Sequence, residues 1–248
     1  MASILEVEGI SKAFAKKSIL ENIVLQAAEG ECLCLIGKNG SGKSTLINMI
    51  IDVVKPDSGY IDIFGGSISD ETIHIKKNIG VLPEFNPLIE EFSVQDYLEY
   101  VGLIYKLDKE LIKTRSAFLI EYFFEDPPSA KKSIGQFSKG MKLKVGICAA
   151  LIHKPKLLIL DEPFDGMDMF SSQNLVDFLN DYRNKGNLVF VSSHDMLFME
   201  KIATKVAIIR EKRLLNFTLE QIEESGKDFE SFVSKQLGYN PKEIKDFA

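Results

Sequence analysis

The stretch that most restricts how this chain can fold is Gly37-Lys38-Asn39-Gly40-Ser41-Gly42-Lys43-Ser44. It lies between a continuous apolar run, Cys32–Ile36, and a helix pattern with Leu46, Ile47, Ile50 and Val54 on one face. The spacing fits G-x-x-x-x-G-K-[S/T], a loop whose glycines let successive backbone N–H groups close on phosphate oxygens. Average residue usage would produce the pattern by accident in about 1% of chains this long. A strand before it and a helix after it are what the mechanism requires, because the helix N-terminus adds partial positive charge. The residues therefore point to a nucleoside-triphosphate site. Lys43 is expected to reach the β- and γ-phosphates and the Ser44 hydroxyl to ligate Mg²⁺. Gly37, Asn39, Gly40, Ser41, Gly42 and Thr45 complete the expected cradle.

A second segment completes the chemistry. Leu157–Leu160 is a short apolar strand pattern that ends in Asp161-Glu162, 118 residues after Lys43. Asp161, at the carboxyl end of a buried strand, is placed to hold Mg²⁺, and Glu162 to orient or deprotonate an attacking water. Around these two segments the chain alternates strand and helix patterns. Strand candidates are Ile4–Val7, Ser18–Ala27, Tyr60–Phe64, Ile79–Leu82, Leu188–Ser192 and Val206–Ile209. Helical patterns cover Ser93 to Phe123, Ser138 to Ile152, Ser171–Arg183 and Leu197–Ala203. Fully apolar strands between helices predict an α/β fold with a parallel sheet covered on both faces. The helical stretch over 85–149 interrupts that alternation and reads as an insertion. Thr218-Leu-Glu-Gln221 reads as a capping box that opens a charged, amphipathic tail.

Composition trims the alternatives. A 45% apolar, 27% charged chain is globular rather than disordered, and its apolar runs fall far short of the 18 residues that span a bilayer. The opening Met1–Glu6 stretch has neither basic nor apolar leader character. Three cysteines suit a reducing compartment, and Cys32 and Cys34 read as small core residues of a buried strand rather than zinc ligands. With 30 basic and 36 acidic residues the net charge of −6 argues against a nucleic-acid binder, so no nucleic acid is expected.

Phe137-Ser138-Lys139-Gly140-Met141-Lys142, 23 residues before Asp161, narrows the choice among phosphate-loop proteins. It resembles the Leu-Ser-Gly-Gly-Gln signature of the ATP-binding cassette (ABC) ATPases, and the order of motifs resembles that family from Phe14 to His194. The variant Ser138-Lys139-Gly140-Met141 is similar to export-type (ABC-2-like) cassettes. The resemblance implies a P-loop NTPase (RecA-like) parallel-sheet core with an N-terminal antiparallel β subdomain and an inserted helical subdomain. It implies one nucleotide-binding domain over 1–248: core 1–84 and 150–215, helical subdomain 85–149, and a short helical extension 216–248. The implied cofactors are ATP and Mg²⁺. Phe14 would stack on adenine; Ser138, Gly140 and Asp168 would serve a nucleotide across a dimer. Glu84 would join Ser44 and Asp161 at the metal, where the family usually has glutamine, adding negative charge beside Asp161 and Glu162. His194 would contact the γ-phosphate, and Glu162, His194 and Lys43 would carry catalysis.

By the same resemblance the chain would energise a separate transmembrane permease subunit from the cytoplasmic face of the membrane. It would work as a head-to-tail dimer with a second copy or a paralogous ATPase, in the export direction. The aromatic-rich set Phe85, Phe92, Tyr97, Tyr100 and Tyr105, with Leu88, forms either the permease-docking surface or the insertion's own core. The alternative reading is a soluble, non-transport ABC ATPase of the cofactor-assembly type. A nucleotide binder that does not turn over is disfavoured by Glu162 and His194 together.

Overall fold

The computed structural model describes residues 3–68, 72–129 and 131–239. Its first element pair is a hairpin of β1 (Ser3–Phe14) and β2 (Lys17–Ala28), turned through Ala15 and Lys16, both at positive φ. Two-residue turns of that hand match the twist of the strands they join. Both strands outrun the predicted Ile4–Val7 and Ser18–Ala27, because pairing continues to the turn at Phe14↔Lys17. Next come β3 (Cys32–Gly37) and α1 (Lys43–Ile50), which stops short of the predicted Val54. The chain then returns through β4 (Ser58–Ile63) and β5 (Gly66–Ser67) to complete an antiparallel sheet of order β2-β1-β4-β5.

Helix α2 (Thr72–Lys76) precedes β6 (Ile79–Leu82). The helical stretch follows as α3 (Val94–Ile104), α4 (Lys109–Phe123), a 3₁₀ turn at Ile134–Gln136 and α5 (Lys139–Leu151). The pattern predicted over Ser93–Phe123 is therefore two helices. Lys106 turns at positive φ, and Asp108 caps α4 by accepting from the N–H groups of Glu110 and Leu111. Alternation resumes with β7 (Leu157–Asp161), α6 (Met169–Asn184), β8 (Leu188–Ser192), α7 (Met196–Ile202) and β9 (Lys205–Arg210). The described chain ends with β10 (Arg213–Thr218), α8 (Leu219–Glu224) and α9 (Phe229–Gln236). β10 was not foreseen. Thr218 and Gln221 form the expected capping box at α8. Met1, Ala2 and residues 240–248, the end of the predicted extension, lie outside the described residues.

The second sheet has the order β10-β9-β3-β8-β7-β6, parallel throughout except for the β9–β10 pair. Alternate residues of its strands face two separate cores. Cys32, Cys34, Leu158, Leu160, Val189 and Val191 pack against the helical layer. Leu33, Leu35, Ile159 and Phe190 pack with α1 and the antiparallel sheet. Cys32, Cys34 and Cys148 are free and buried, as expected of core residues. Burying a side chain such as Phe190 contributes roughly 1.5–3 kcal/mol, which is why these strands read as unbroken apolar runs. The parallel strands all end on one edge. There the chain leaves β3 for α1, β7 for α6 and β8 for α7, and ligand sites of open α/β sheets form at such an edge.

Candidate functional site: the phosphate loop and the strand ends

A cavity of about 430 Å³ opens at that edge, lined by Phe14, Ile19, Asn39, Gly40, Gly42, Lys43, Ser44, Thr45, Glu84, Asp161, Glu162, Asp165 and His194. Its size falls within the range of small-ligand sites, roughly 300–1,000 Å³. Eleven of these thirteen were expected from the sequence; Ile19 and Asp165 were not. Gly37 and Ser41 do not line it. The Ser41 hydroxyl is buried without a partner, and a Cβ on Gly37 would meet its oxygen at 2.4 Å. These two residues form the packed base of the loop.

The loop's shape follows from its glycines. Gly42 caps α1 at φ 110°, a conformation other residues avoid. No side chain caps α1. Its first N–H groups are thus left for an anion. Lys43 is buried, and its ammonium donates to the Gly37 carbonyl at 3.0 Å and lies 3.8 Å from Glu162 Oε1.

Backbone geometry fixes the carboxylates. Asp161 is the last residue of β7, opposite Ser192 of β8, whose hydroxyl donates to its carboxylate. Burial pushes the Asp161 carboxyl up from its ordinary range, and the charges of Glu84 and Glu162 push the same way against the Ser192 and Ser44 hydroxyls. Glu162 sits at φ 51°, with its N–H donating to the Ser192 carbonyl at 2.9 Å. A non-glycine residue held there stores strain of a kind that clusters at functional sites. Its other oxygen, Oε2, is 2.9 Å from His194 Nδ1 and accepts from the His194 N–H at 3.3 Å. The Ser44 hydroxyl donates to Glu84 Oε2 at 3.0 Å. Phe14 ends β1 at the cavity mouth, 47% exposed, with the Lys12 ammonium 5.4 Å from its ring centroid.

The signature residues are not in this cavity. Ser138 caps α5 by accepting from the Met141 N–H at 3.3 Å. A Cβ on Gly140 would meet the Gly166 carbonyl at 2.6 Å, so the turn packs directly on the loop after Glu162. Asp168 caps α6, and the Ser171 hydroxyl and N–H hold its carboxyl below the usual range. Among the described residues no cluster of three His, Cys, Asp or Glu is placed to hold a metal. Ser44, Glu84 and Asp161 converge as one hydroxyl and two carboxylates. That hard oxygen set fits Mg²⁺ completed by phosphate oxygens and water.

The family model for ABC transporters matches residues 20–165 of this chain. The chain belongs to that family. It is 36% identical over 211 residues to the linearmycin resistance ATP-binding protein of Bacillus subtilis, covering 85% of this ABC ATPase and 68% of the relative. It is 30% identical over 211 residues to the Nod factor export ATP-binding protein I of a Rhizobium species, covering 85% and 69%. The solved ATP-binding subunit of an ABC transporter superposes with a TM-score of 0.87 at 29% identity, over 95% of this chain and all of that one. This ABC ATPase is an ATP-binding, ATP-hydrolysing transporter subunit, a class that works with a membrane permease. The comparisons give no support to the cofactor-assembly alternative. Among its described residues no helix is long and apolar enough to cross a membrane.

Proposed function

We propose that two such chains close head to tail around two ATP molecules, on the cytoplasmic face of a membrane, and drive a separate permease in the export direction. The observation that carries this reading is the split of the expected site. The hydrolytic groups share one cavity, while Ser138, Gly140 and Asp168 lie outside it. In that arrangement each signature turn serves a nucleotide held by the other chain. Export is the function printed for the Nod factor relative, and a bacitracin transport ATP-binding protein of Bacillus licheniformis is 29% identical over 216 residues.

The side chains divide the work. Phe14 and Ile19 offer an apolar rim for adenine, and the loop from Asn39 to Thr45 with Lys43 receives the phosphates. Ser44, Glu84 and Asp161 would hold Mg²⁺, which when bound offsets charge on the phosphate oxygens. Glu162 accepts the proton of the attacking water, and His194 orients the Glu162 carboxylate through the 2.9 Å contact. Such a base contributes typically 10²–10⁴ in rate.

The segment 85–149 is the helical subdomain in this reading, and it offers the permease an apolar face. Phe85 is 83% exposed, and Tyr100, Leu103 and Ile104 are exposed on α3. Leu88, Phe92 and Tyr97 are half-buried and pack against the core, and Tyr105 stacks on His153. The two readings of the aromatic cluster thus divide between its members.

Sedimentation of Glu162→Gln in Mg-ATP tests the dimer, with a nucleotide-dependent doubling of mass expected. A chain that stays single at every ATP concentration would sink it. Affinity purification from detergent-solubilised membranes tests the permease, and a stoichiometric multi-span protein is expected.

A further inference from the structure

Two residues that the phosphate-loop chemistry does not use are paired with each other. Lys139, the second residue of the signature turn, places its ammonium 2.6 Å from Asp165 Oδ2. Asp165 lines the nucleotide cavity and lies in the loop between Glu162 and Asp168. The contact is built on close backbone packing. Gly140 has no room for a Cβ against the Gly166 carbonyl, and a Cβ on Gly166 would meet the Lys139 side chain at 3.1 Å. Asp165 therefore faces the chain's own nucleotide site while bonded to the turn that, in the proposed dimer, faces the partner's.

We propose that the Lys139–Asp165 pair is a positioning element that reports occupancy of one nucleotide cavity to the signature turn of the same chain. The physical basis is charge. A triphosphate brings several negative charges into a cavity that Asp165 lines, and like charges at close range repel in the reduced dielectric of a cleft. Repulsion on Asp165 weakens its hold on Lys139 and releases the turn's cation. The pair suits this use because it is weak. Side chains 69% and 51% exposed make an ion pair that biases a conformation by only two- to five-fold, small enough for a bound nucleotide to reverse. A buried pair would lock the turn instead. Lys139 stands near the N-terminus of α5, where the helix dipole disfavours a cation, so without its anion the side chain has reason to move.

What this coupling would achieve rests on the dimer reading, since only a partner's nucleotide would meet the released turn. The coupling itself is a property of one chain, and the test is set there. Amide hydrogen exchange at 138–142 is measured with and without a non-hydrolysable ATP analogue and Mg²⁺, at concentrations where sedimentation shows single chains. In the unaltered chain the nucleotide is expected to speed exchange in this turn by two-fold or more. Asp165→Asn is expected to abolish that response and, by removing the repulsion, to leave the analogue bound no more weakly than in the unaltered chain. An Asp165→Asn chain that responds like the unaltered one overturns the proposal. So does an unaltered chain with no response. Dimerisation, read separately by sedimentation at high concentration, can fail while the single-chain response stands.

Discussion

The nucleotide cavity and the helical layer of residues 85–151 are built in opposite ways. In the cavity, functional side chains sit on backbone fixed by the sheet: Asp161 is held opposite Ser192, and Glu162 is hung from the Ser192 carbonyl at an unfavourable φ. Burial and hydrogen bonds set these groups before ligand arrives, the condition under which electrostatic catalysis costs least reorganisation. The helical layer is held firmly at its base, where His153 stacks on Tyr105 at 3.7 Å and contacts the Ile79 carbonyl, and Arg115 donates to the Ile152 carbonyl. Toward its signature turn it is tied to the loop after β7 by an exposed ion pair, Lys139–Asp165. One region is fixed by buried backbone pairing, and the other is joined at its signature end through solvent-exposed side chains.

The largest effect is expected where the fixed region does chemistry. Glu162→Gln keeps the shape of the side chain and removes its basicity, so ATP turnover should fall roughly 10²–10⁴-fold. ATP affinity, measured by equilibrium binding, should hold within a few-fold. A variant that retains more than a tenth of the rate would move the base elsewhere and end the contrast drawn here.

At the anchored base of the helical layer the expected effect is on stability. Burial drives the His153 pKa down from 6.5 to about 4; Arg115 adds to the shift and the Ile79 carbonyl opposes it. If Nε2–H donates to that carbonyl, Nδ1 is the bare nitrogen, buried without a partner, and protonating it would strand an N–H. The unfolded chain takes up this proton below pH 6.5 and the folded chain only near 4. The stabilisation is therefore complete above pH 6.5 and is lost as pH falls toward 4, by about 2–3 kcal/mol. Denaturant titrations at pH 7, 5.5 and 4.5 measure it, and His153→Phe should flatten the slope over this range. An unchanged slope would place the acid sensitivity elsewhere.

At the signature end a close fit can be broken directly. Gly140→Ala sets a methyl 2.6 Å from the Gly166 carbonyl, so the turn or the loop must move. Overpacking of this kind costs typically 1–3 kcal/mol, so turnover should fall about ten-fold through misplacement of the turn. ATP affinity of the single chain should change by no more than the few-fold coupling that runs through Asp165, since the turn lies outside the cavity. Equal losses in affinity and turnover would mean that the two regions are not separable.

What the sequence disclosed follows the same division. Buried parallel strands must be apolar along their whole length, so β3, β7 and β8 showed as unbroken runs, and the phosphate loop showed because its chemistry demands fixed residues at fixed spacing. The break between α3 and α4 was hidden, since Lys106 reaches positive φ with neither glycine nor proline to mark it. β10 was hidden because an edge strand with only intermediate burial lacks the apolar run of its neighbours. Asp165 was passed over between motif residues. Its role depends on Lys139, 26 positions earlier, and no local pattern carries a contact of that range.

The smallest effect is expected at Phe14, which belongs to the cavity by position and resembles the signature end of the helical layer by exposure. Its ring closes the hairpin end beside Ile19 and is half-exposed, with the Lys12 ammonium over it 5.4 Å from the centroid. Stacking of a base on an aromatic ring is worth roughly 1–3 kcal/mol, and an exposed ring should give the low end. Phe14→Ala should weaken ATP binding about five-fold and leave the maximal turnover rate alone, because adenine lies far from the bond that breaks. Phe14→Tyr should restore affinity, since the stacking face is kept. Comparing ATP with inorganic triphosphate separates stacking from a disturbed phosphate loop: the substitution should weaken ATP binding and leave triphosphate binding untouched. Equal weakening of both would make Phe14 part of the packing that shapes the loop, and the apolar rim for adenine would then fall to Ile19 alone.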